Sequence, residues 1–175
     1  MIKGALYEIL QGEDLSREKA RGVMQQVMEG QAESSQVGAL LAALRMKGET
    51  IDEITACAEI MREKSVKITP KTDVLDIVGT GGDELFSFNI STVSAFVACA
   101  AGVAVAKHGG RSVSSKCGSA DLLEELGANI NLSAEQSQKV LEKTGMCFMH
   151  AQVYHTAMKY VAPIRKELGV RTIFN

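Results

Sequence analysis

The 175-residue chain contains no tryptophan, and aromatic residues make up only 5% of it. Proteins that bind single-stranded nucleic acid stack bases on exposed aromatic rings, so this composition argues against nucleic acid as a partner. The formal net charge of −2 gives no bulk attraction to nucleic acid or to an anionic membrane. The longest apolar run, residues 95–106, is too short to cross a bilayer, so we expect no membrane association.

The four cysteines are widely spaced and form no CxxC pair. Structural zinc sites usually take cysteines in such closely spaced pairs, so we expect no zinc. No secretory signal opens the chain, and free thiols are typical of a reducing compartment. We therefore expect a cytoplasmic protein with reduced cysteines.

The first 65 residues have the apolar spacing of amphipathic helices, and glycines at positions 12, 30 and 48 separate the segments. Thr50 and Glu53 have the spacing of a capping box, which predicts the start of a fourth helix. We predict a small helical bundle whose role is scaffolding or self-association. Its apolar faces exceed what four short helices need internally, and they are built on Met24, Val27, Leu41 and Leu44.

From residue 66 onward, short apolar runs alternate with helical segments, which predicts a parallel α/β sheet. The predicted strands are 74–78, 103–106 and 147–149, and Ser91 or Thr92 is the expected cap of the helix after the first strand. Ser133 and Gln136 form a second capping box. The predicted fold is therefore α/β, with a helical bundle domain over 1–65 and the first part of a parallel-sheet α/β domain over 66–175. We expect this second domain to be incomplete at the C-terminus.

Two glycine-rich segments, GTGGD at 79–83 and KHGGR at 107–111, lie next to the first two predicted strands. Seven of the 16 glycines fall between positions 79 and 118, and residues 105–118 hold Lys107, His108, Arg111 and Lys116 without an acid. Glycine turns let backbone N–H groups close on an anion, and ligands of parallel sheets bind at the carboxyl ends of strands. This pattern indicates a site for a phosphorylated small molecule.

The same motifs closely resemble those of the anthranilate phosphoribosyltransferases of tryptophan biosynthesis. The resemblance rests on GTGGD followed by SFNIST, on KHGGRSVSSKCGSAD and on the closing ELGVRTIFN, and it covers the whole chain. It implies a fold of the nucleoside phosphorylase/phosphoribosyltransferase type. It also implies transfer of phosphoribose from phosphoribosyl pyrophosphate to anthranilate with Mg²⁺, giving N-(5-phosphoribosyl)anthranilate, by a homodimer formed through the N-terminal helices.

The resemblance assigns site residues by position. It implies that the pyrophosphate and ribose are held by Gly79, Thr80, Gly81, Gly82, Asp83, Asn89, Ser91, Thr92 and Lys107, with Ser119 close to the same phosphates. Ser91 would also be a Mg²⁺ ligand. His108, Gly110 and Arg165 would border the anthranilate site, with His155 in the neighbouring helix. No residue is assigned as a catalyst of proton or covalent transfer, because pyrophosphate is a good leaving group and the aromatic amine is already nucleophilic.

Two departures from the family pattern keep alternatives open. Gly110 stands where the family has the asparagine of KHGNR, and the sequence stops at Asn175, where the family continues through an acidic pair that binds Mg²⁺. We therefore expect an N-terminal fragment of the enzyme. The alternatives are a non-catalytic phosphoribosyl-binding relative and a pyrimidine nucleoside phosphorylase-like enzyme. At the residue level, Lys107 could be a solvated lysine, Asp83 a turn cap and Arg165 a partner in a surface salt bridge.

Overall fold

A computed structural model describes residues 1–79, 88–112 and 117–174, and it divides the chain into two compact units. Residues 1–65 and the segment that begins at His155 form the first unit, and Val66–Tyr154 form the second. The helices in chain order are α1 Ile2–Leu10, α2 Arg17–Met28, α3 Ser34–Lys47, α4 Ile51–Lys64, α5 Ile90–Ala100, α6 Ser119–Glu125, α7 Ala134–Thr144, α8 Ala151–Tyr154 and α9 Ala162–Leu168, with a 3₁₀ helix at Thr156–Tyr160. The strands are β1 Val105–Gly109 and β2 Met146–His150.

The breaks between helices α1 to α4 fall where the sequence predicts them. Gly12, Gly30 and Gly48 separate them with φ angles of 82°, 71° and 88°, a conformation that favours glycine. The predicted capping box of α4 is present, since the Thr50 hydroxyl accepts from the Glu53 amide at 3.2 Å and the Glu53 carboxylate accepts from the Thr50 amide at 2.9 Å. Local signals therefore suffice for the helical bundle.

The core of the first unit forms where α1 packs on α3 and α2 packs on α4. Met24, Val27, Leu41 and Leu44 lie in this core, with no more than 4% of each residue exposed. These faces are covered within the first unit by the paired helices together with the segment after residue 154, so the apolar surface expected to exceed the needs of the four helices is used inside this unit. Any contact between copies must use other residues.

The segment after residue 154 packs with the helices of the first unit. The 3₁₀ helix contacts α2 and α4, and α9 contacts α3. Val161 and Ile164 join the core of the bundle. The proposed domain boundary at residue 65 stays a prediction, and the structure adds that residues 155–174 bury their apolar side chains against helices.

The second unit contains a parallel pair of strands, in which β1 and β2 pair from Val105 with Met146 to Gly109 with His150. The predicted first strand is reduced to a single parallel bridge between Leu75 and Val105. The parallel arrangement confirms the predicted fold class. Strand β1 runs to Gly109, so Lys107 lies within the strand, whereas the sequence places the KHGGR segment after it.

Helix α5 begins differently from the prediction. The side chain of Asn89 caps it by accepting from the Thr92 amide at 3.3 Å, so Ser91 and Thr92 belong to its first turn and neither is the cap. The capping box of α7, formed by Ser133 and Gln136, is present as predicted. Among the described residues, no helix is long and apolar enough to cross a membrane.

Candidate active site

The N-terminal ends of α5 and α6 meet the carboxyl end of β1. The Ala120 amide, in the first turn of α6, donates to the Gly110 carbonyl at 3.0 Å. A side chain at Gly109 would place its Cβ 3.2 Å from the Cβ of Ser119. The close approach of α6 to the strand therefore depends on the glycine, and it brings hydroxyl groups to the edge of the sheet where parallel-sheet ligands bind.

Three predicted site residues form a connected polar cluster at this edge. The Asn89 side-chain oxygen lies 2.8 Å from the Thr92 hydroxyl, which lies 2.9 Å from the Ser119 hydroxyl. Thr92 is completely buried. Residues far apart in sequence are therefore held together at the start of two helices, where hydroxyls and backbone amides favour an anion.

Gly79 lies beside Ser91, because a Cβ at Gly79 would be 3.5 Å from the Ser91 hydroxyl oxygen. The other predicted members of the first turn, Thr80, Gly81, Gly82 and Asp83, lie outside the described residues. Within the described ranges, no group of three His, Cys, Asp or Glu side chains is arranged to hold a metal ion. Ser91 therefore offers a single hydroxyl oxygen, which fits a Mg²⁺ ion held mainly by substrate phosphates and water.

Lys107 is buried, with 1% of its surface exposed, so a solvated lysine at the end of a strand is excluded. Its ammonium donates to the carbonyl of Ile77 at 2.5 Å. Burial lowers the pKa of Lys107 below its usual value, and the nearby carboxylate of Asp76 opposes this shift. The site therefore holds a desolvated cation beside Ile77, in the segment that leads to Gly79.

His108 is held by its backbone, since its amide donates to a carboxylate oxygen of Asp76 at 3.0 Å. Burial lowers the pKa of the His108 imidazole; Asp76 opposes the shift and Lys107 adds to it. The imidazole is therefore mainly neutral at pH 7. A neutral ring next to a proposed acceptor site can hydrogen-bond an amine or carboxylate without adding charge.

Arg111 does not add a free positive charge to the second segment. Its guanidinium forms ion pairs with Asp121 at 2.9 Å and Glu124 at 2.8 Å, both on α6. The Asp121 carboxylate also accepts from the amides of Ser112 and Gly118, each at 2.9 Å. These two hydrogen bonds lower the pKa of Asp121 most, and the nearby Arg111 guanidinium lowers it further. Within the acid-free stretch seen in the sequence, the charge of Arg111 is thus neutralised by acids from the following helix.

The two glycines of this loop differ in what they require. A Cβ at Gly118 would lie 2.4 Å from the backbone nitrogen of Ser112, so no side chain fits there. At Gly110 the nearest atom to a Cβ would be 3.9 Å away, on Ala151, and its φ lies outside the left-handed region. Gly110 is therefore not required by the backbone, and a larger residue has room to begin there.

His150 ends β2 and is buried, with 2% of its surface exposed. One ring nitrogen lies 3.3 Å from the side-chain oxygen of Asn131, and Nε2 is buried without a hydrogen-bond partner among the described residues. Burial lowers the pKa of His150 most, and the positive charge of Arg111 lowers it further. The carboxylates of Glu124 and Asp121 oppose this shift, and His108 adds to it. Its position at i, i+5 from His155 forms no metal cluster in the described chain.

Arg165 and His155 belong to the first unit. Arg165 is half-buried, its guanidinium carbon lies 5.9 Å from the centre of the Phe174 ring, and burial lowers its pKa. The surface salt bridge that the sequence left open as an alternative is absent among the described residues, and the Nε atom of Arg165 has no partner there. His155 precedes the 3₁₀ helix and accepts from the Met158 amide through its carbonyl at 2.9 Å.

Sequence reasoning assigned no role to Asp76 or Asp121. Each accepts backbone N–H groups that shape a predicted site segment. The sequence does contain a signal for Asp76. A carboxylate within an apolar run, three positions before the first glycine-rich segment, indicates a specific polar contact. For Asp121 the signal was weaker, since an acid in the first turn of a helix is common.

Comparison with known proteins divides the chain near residue 65, so the segment after residue 154 falls within the second family model. A model of the glycosyl transferase family, helical bundle domain, matches residues 3–65, and a model of the glycosyl transferase family, a/b domain, matches residues 71–175. An anthranilate phosphoribosyltransferase from Ruminiclostridium cellulolyticum is 66% identical over 175 residues, which are 100% of this chain and 51% of that protein. The enzyme of the same name from Endomicrobium trichonymphae is 61% identical over 100% of this chain and 52% of its own length.

Solved structures agree with these relatives. The anthranilate phosphoribosyltransferase of Thermus thermophilus matches with a TM-score of 0.88 and 46% identity, over 97% of this chain and 52% of that one. The enzyme from Saccharomyces cerevisiae in complex with PRPP and Mg matches with a TM-score of 0.89 and 28% identity, over 99% and 52%. The resemblance inferred from the motifs is confirmed, and the chain spans about half the length of the curated relatives it matches.

Proposed function

Since this chain belongs to the glycosyl transferase family of the helical-bundle and a/b domain models, we propose that it forms the N-terminal half of an anthranilate phosphoribosyltransferase. The protein would transfer phosphoribose from phosphoribosyl pyrophosphate to the amine of anthranilate. The observation that carries the proposal is the meeting of Ser91, the Asn89–Thr92–Ser119 cluster and β1 at one edge of the parallel strands. Similar proteins of this name, one of them solved with PRPP and Mg, support it.

The pyrophosphate would bind where α5 begins. The N-terminal end of α5 favours an anion, the Ser91 hydroxyl would donate to a phosphate oxygen, and Ser119 lies next to Thr92 of the same helix turn. Lys107 would add a positive charge that burial leaves poorly solvated, so its attraction to an anion is stronger than that of a surface lysine. Ser91 would contact a Mg²⁺ ion that binds with the substrate, and such an ion would neutralise part of the charge of the leaving group.

The acceptor would approach from the side of His108 and Gly110. Arg165, in the first unit, carries a forked guanidinium without an ion-pair partner in the described chain, and such a group suits a bidentate contact with a carboxylate. The aromatic amine needs no strong base, so positioning and charge stabilisation carry the reaction. Gly110 offers no side-chain contact to the acceptor, so we expect this protein to bind anthranilate more weakly than relatives that have asparagine at this position.

The proposal is tested with the complete protein by titration calorimetry and by an assay of anthranilate fluorescence. Phosphoribosyl pyrophosphate with Mg²⁺ should bind, and anthranilate should be consumed only when both are present. Binding without turnover would favour the non-catalytic relative. Phosphorolysis of thymidine, with no use of anthranilate, would favour the nucleoside phosphorylase-like enzyme.

We further propose a cytoplasmic homodimer that associates through the N-terminal helices. The large apolar residues exposed on this unit are the candidates for the contact, and they include Tyr7, Leu10, Met46 and Ile51, each at least 69% exposed. Sedimentation of the complete protein tests this. A change of Met46 to glutamate should weaken a dimer that uses α3, and a monomer at micromolar concentration in the unchanged protein would refute the dimer.

A further inference from the structure

The chain from Leu75 to Ile77 joins β1 in an unusual way. Leu75 makes the two bonds of a parallel bridge, because its amide donates to the Ala104 carbonyl at 2.8 Å and its carbonyl accepts from the Ala106 amide at 3.0 Å. In a regular parallel ladder the Ile77 amide would next donate to the Ala106 carbonyl, and the Ile77 carbonyl would then accept from the His108 amide. That bond is replaced here.

The side chains of Asp76 and Lys107 form the hydrogen bonds at this point in place of the ladder. The His108 amide donates to the carboxylate of Asp76 at 3.0 Å, and the freed Ile77 carbonyl accepts from the Lys107 ammonium at 2.5 Å. The carboxylate therefore occupies the place of a main-chain carbonyl in the ladder. Its bond leaves the following chain free to separate from β1 and lead to Gly79.

We propose that Asp76 is a positioning residue, which sets Lys107 and His108 in place by substituting its carboxylate for the Ile77 carbonyl. Asp76 is surface-exposed and carries the same charge sign as a phosphate ligand, so it opposes such a ligand electrostatically. A negative charge kept beside an anion site needs a compensating benefit. The hydrogen bond to His108 supplies it, because it fixes the backbone of two residues assigned to the site.

The charge of Asp76 weakens anion binding, whereas its hydrogen bond to His108 supports it, and these opposite effects make the inference testable. The choice of ligand for the test rests on the proposed function. Asp76→Asn keeps an oxygen that accepts from the His108 amide and removes the charge. Asp76→Ala removes both. If the carboxylate acted through charge alone, both variants would bind an anion more tightly. If it positions the site, the alanine variant binds more weakly in spite of the lost repulsion.

The experiment uses the complete protein, with phosphoribosyl pyrophosphate and Mg²⁺ as the probe in calorimetry. We expect D76N to retain binding or tighten it by a few-fold, and D76A to lose about tenfold in affinity. Asp73 supplies the matched control, since it is an exposed carboxylate of the same segment without a polar contact among the described residues. D73A should bind as the unchanged protein does. Equal or tighter binding by D76A would overturn the inference.

Amide hydrogen exchange at His108 gives a second readout that needs no ligand. Exchange should stay slow in D76N and become about tenfold faster or more in D76A, while Gly109 and Ala106 remain protected. If the unchanged protein does not bind phosphoribosyl pyrophosphate, the proposed function fails and this exchange pattern still decides the role of Asp76. Should D76A not fold, fast His108 exchange or lost binding in folded D76N would refute the positioning role.

Discussion

Replacement of Lys107 by methionine should separate binding from stability. The ammonium is buried, contacts the Ile77 carbonyl, and forms no ion pair within the described residues. Methionine is similar in length and removes the charge. A charge-assisted contact to a phosphate contributes about 1.5–3 kcal/mol, so we expect the Kd for phosphoribosyl pyrophosphate with Mg²⁺ to rise roughly 10- to 150-fold.

The free energy of unfolding should change much less. The variant leaves the Ile77 carbonyl without its partner, which costs about 1–3 kcal/mol, but it also removes a buried charge, whose desolvation costs a comparable amount. We expect the net change at pH 7 to stay within about 1 kcal/mol. Because burial lowers the pKa of Lys107 in the folded state, its charge is unfavourable below that pKa. The penalty disappears as the pH rises toward 10.5, the ordinary lysine value, so the unchanged protein should gain stability relative to the variant over that interval.

Calorimetry and chemical denaturation of both proteins provide the measurements. Lys139→Met is a suitable control, because Lys139 is exposed and its one ion pair among the described residues is with Glu135, one turn away on α7. That variant should bind the ligand normally and lose about 0.3–0.5 kcal/mol of stability. An unchanged Kd in the Lys107 variant would show that the ammonium serves only the Ile77 carbonyl, and its assignment to the pyrophosphate would then be refuted.

Three further outcomes are expected. Gly118→Ala should lower the free energy of unfolding by at least about 1 kcal/mol, because the new Cβ would lie 2.4 Å from a backbone nitrogen. Gly4→Ala is the control in thermal denaturation and should not destabilise α1, because no atom lies within 4 Å of its new Cβ. His150→Phe should stabilise the protein more at pH 5 than at pH 8, since burial lowers the folded-state pKa of His150 and stability is lost as the pH falls below 6.5; parallel pH profiles would contradict this. Gly110→Asn should lower the KM for anthranilate by an amount equivalent to about 0.5–1.5 kcal/mol, and an equal KM in both proteins would mean that this position does not face the acceptor.

The helical elements could be predicted because their signals are local. The capping box of Thr50 and Glu53 and the glycine at position 48 act within one turn, so the neighbouring residues decide the outcome. The same holds for Ser133 at the start of α7. The second glycine-rich segment was also recognised from local composition, but Lys107, His108 and Gly109 lie within β1 and not after the strand as predicted. The described part of the first segment ends at Gly79.

The polar contacts of the site could not be predicted, because they join residues far apart in sequence. The first strand is cut short where Asp76 bonds the backbone 32 positions later. Arg111 is neutralised by acids that become its neighbours only when α6 folds back on the loop. The choice of Asn89 as the cap of α5 has a local basis, but Asn89, Ser91 and Thr92 all offer side-chain oxygens near this helix start, and propensity alone does not rank them.

The cluster of Asn89, Thr92 and Ser119 has a fixed direction of proton donation. The Asn89 atom that faces Thr92 also accepts from a backbone N–H, so it is the carbonyl oxygen and cannot donate. The single hydroxyl proton of Thr92 is thus directed to Asn89, and the 2.9 Å contact with Ser119 requires the Ser119 proton. Ser119 then presents only lone pairs outward. A ligand hydroxyl or protonated phosphate can bind it directly, whereas a fully ionised phosphate must first turn that proton away from Thr92. The affinity of this corner for anions is therefore reduced by one internal hydrogen bond, and it depends on the protonation state of the ligand.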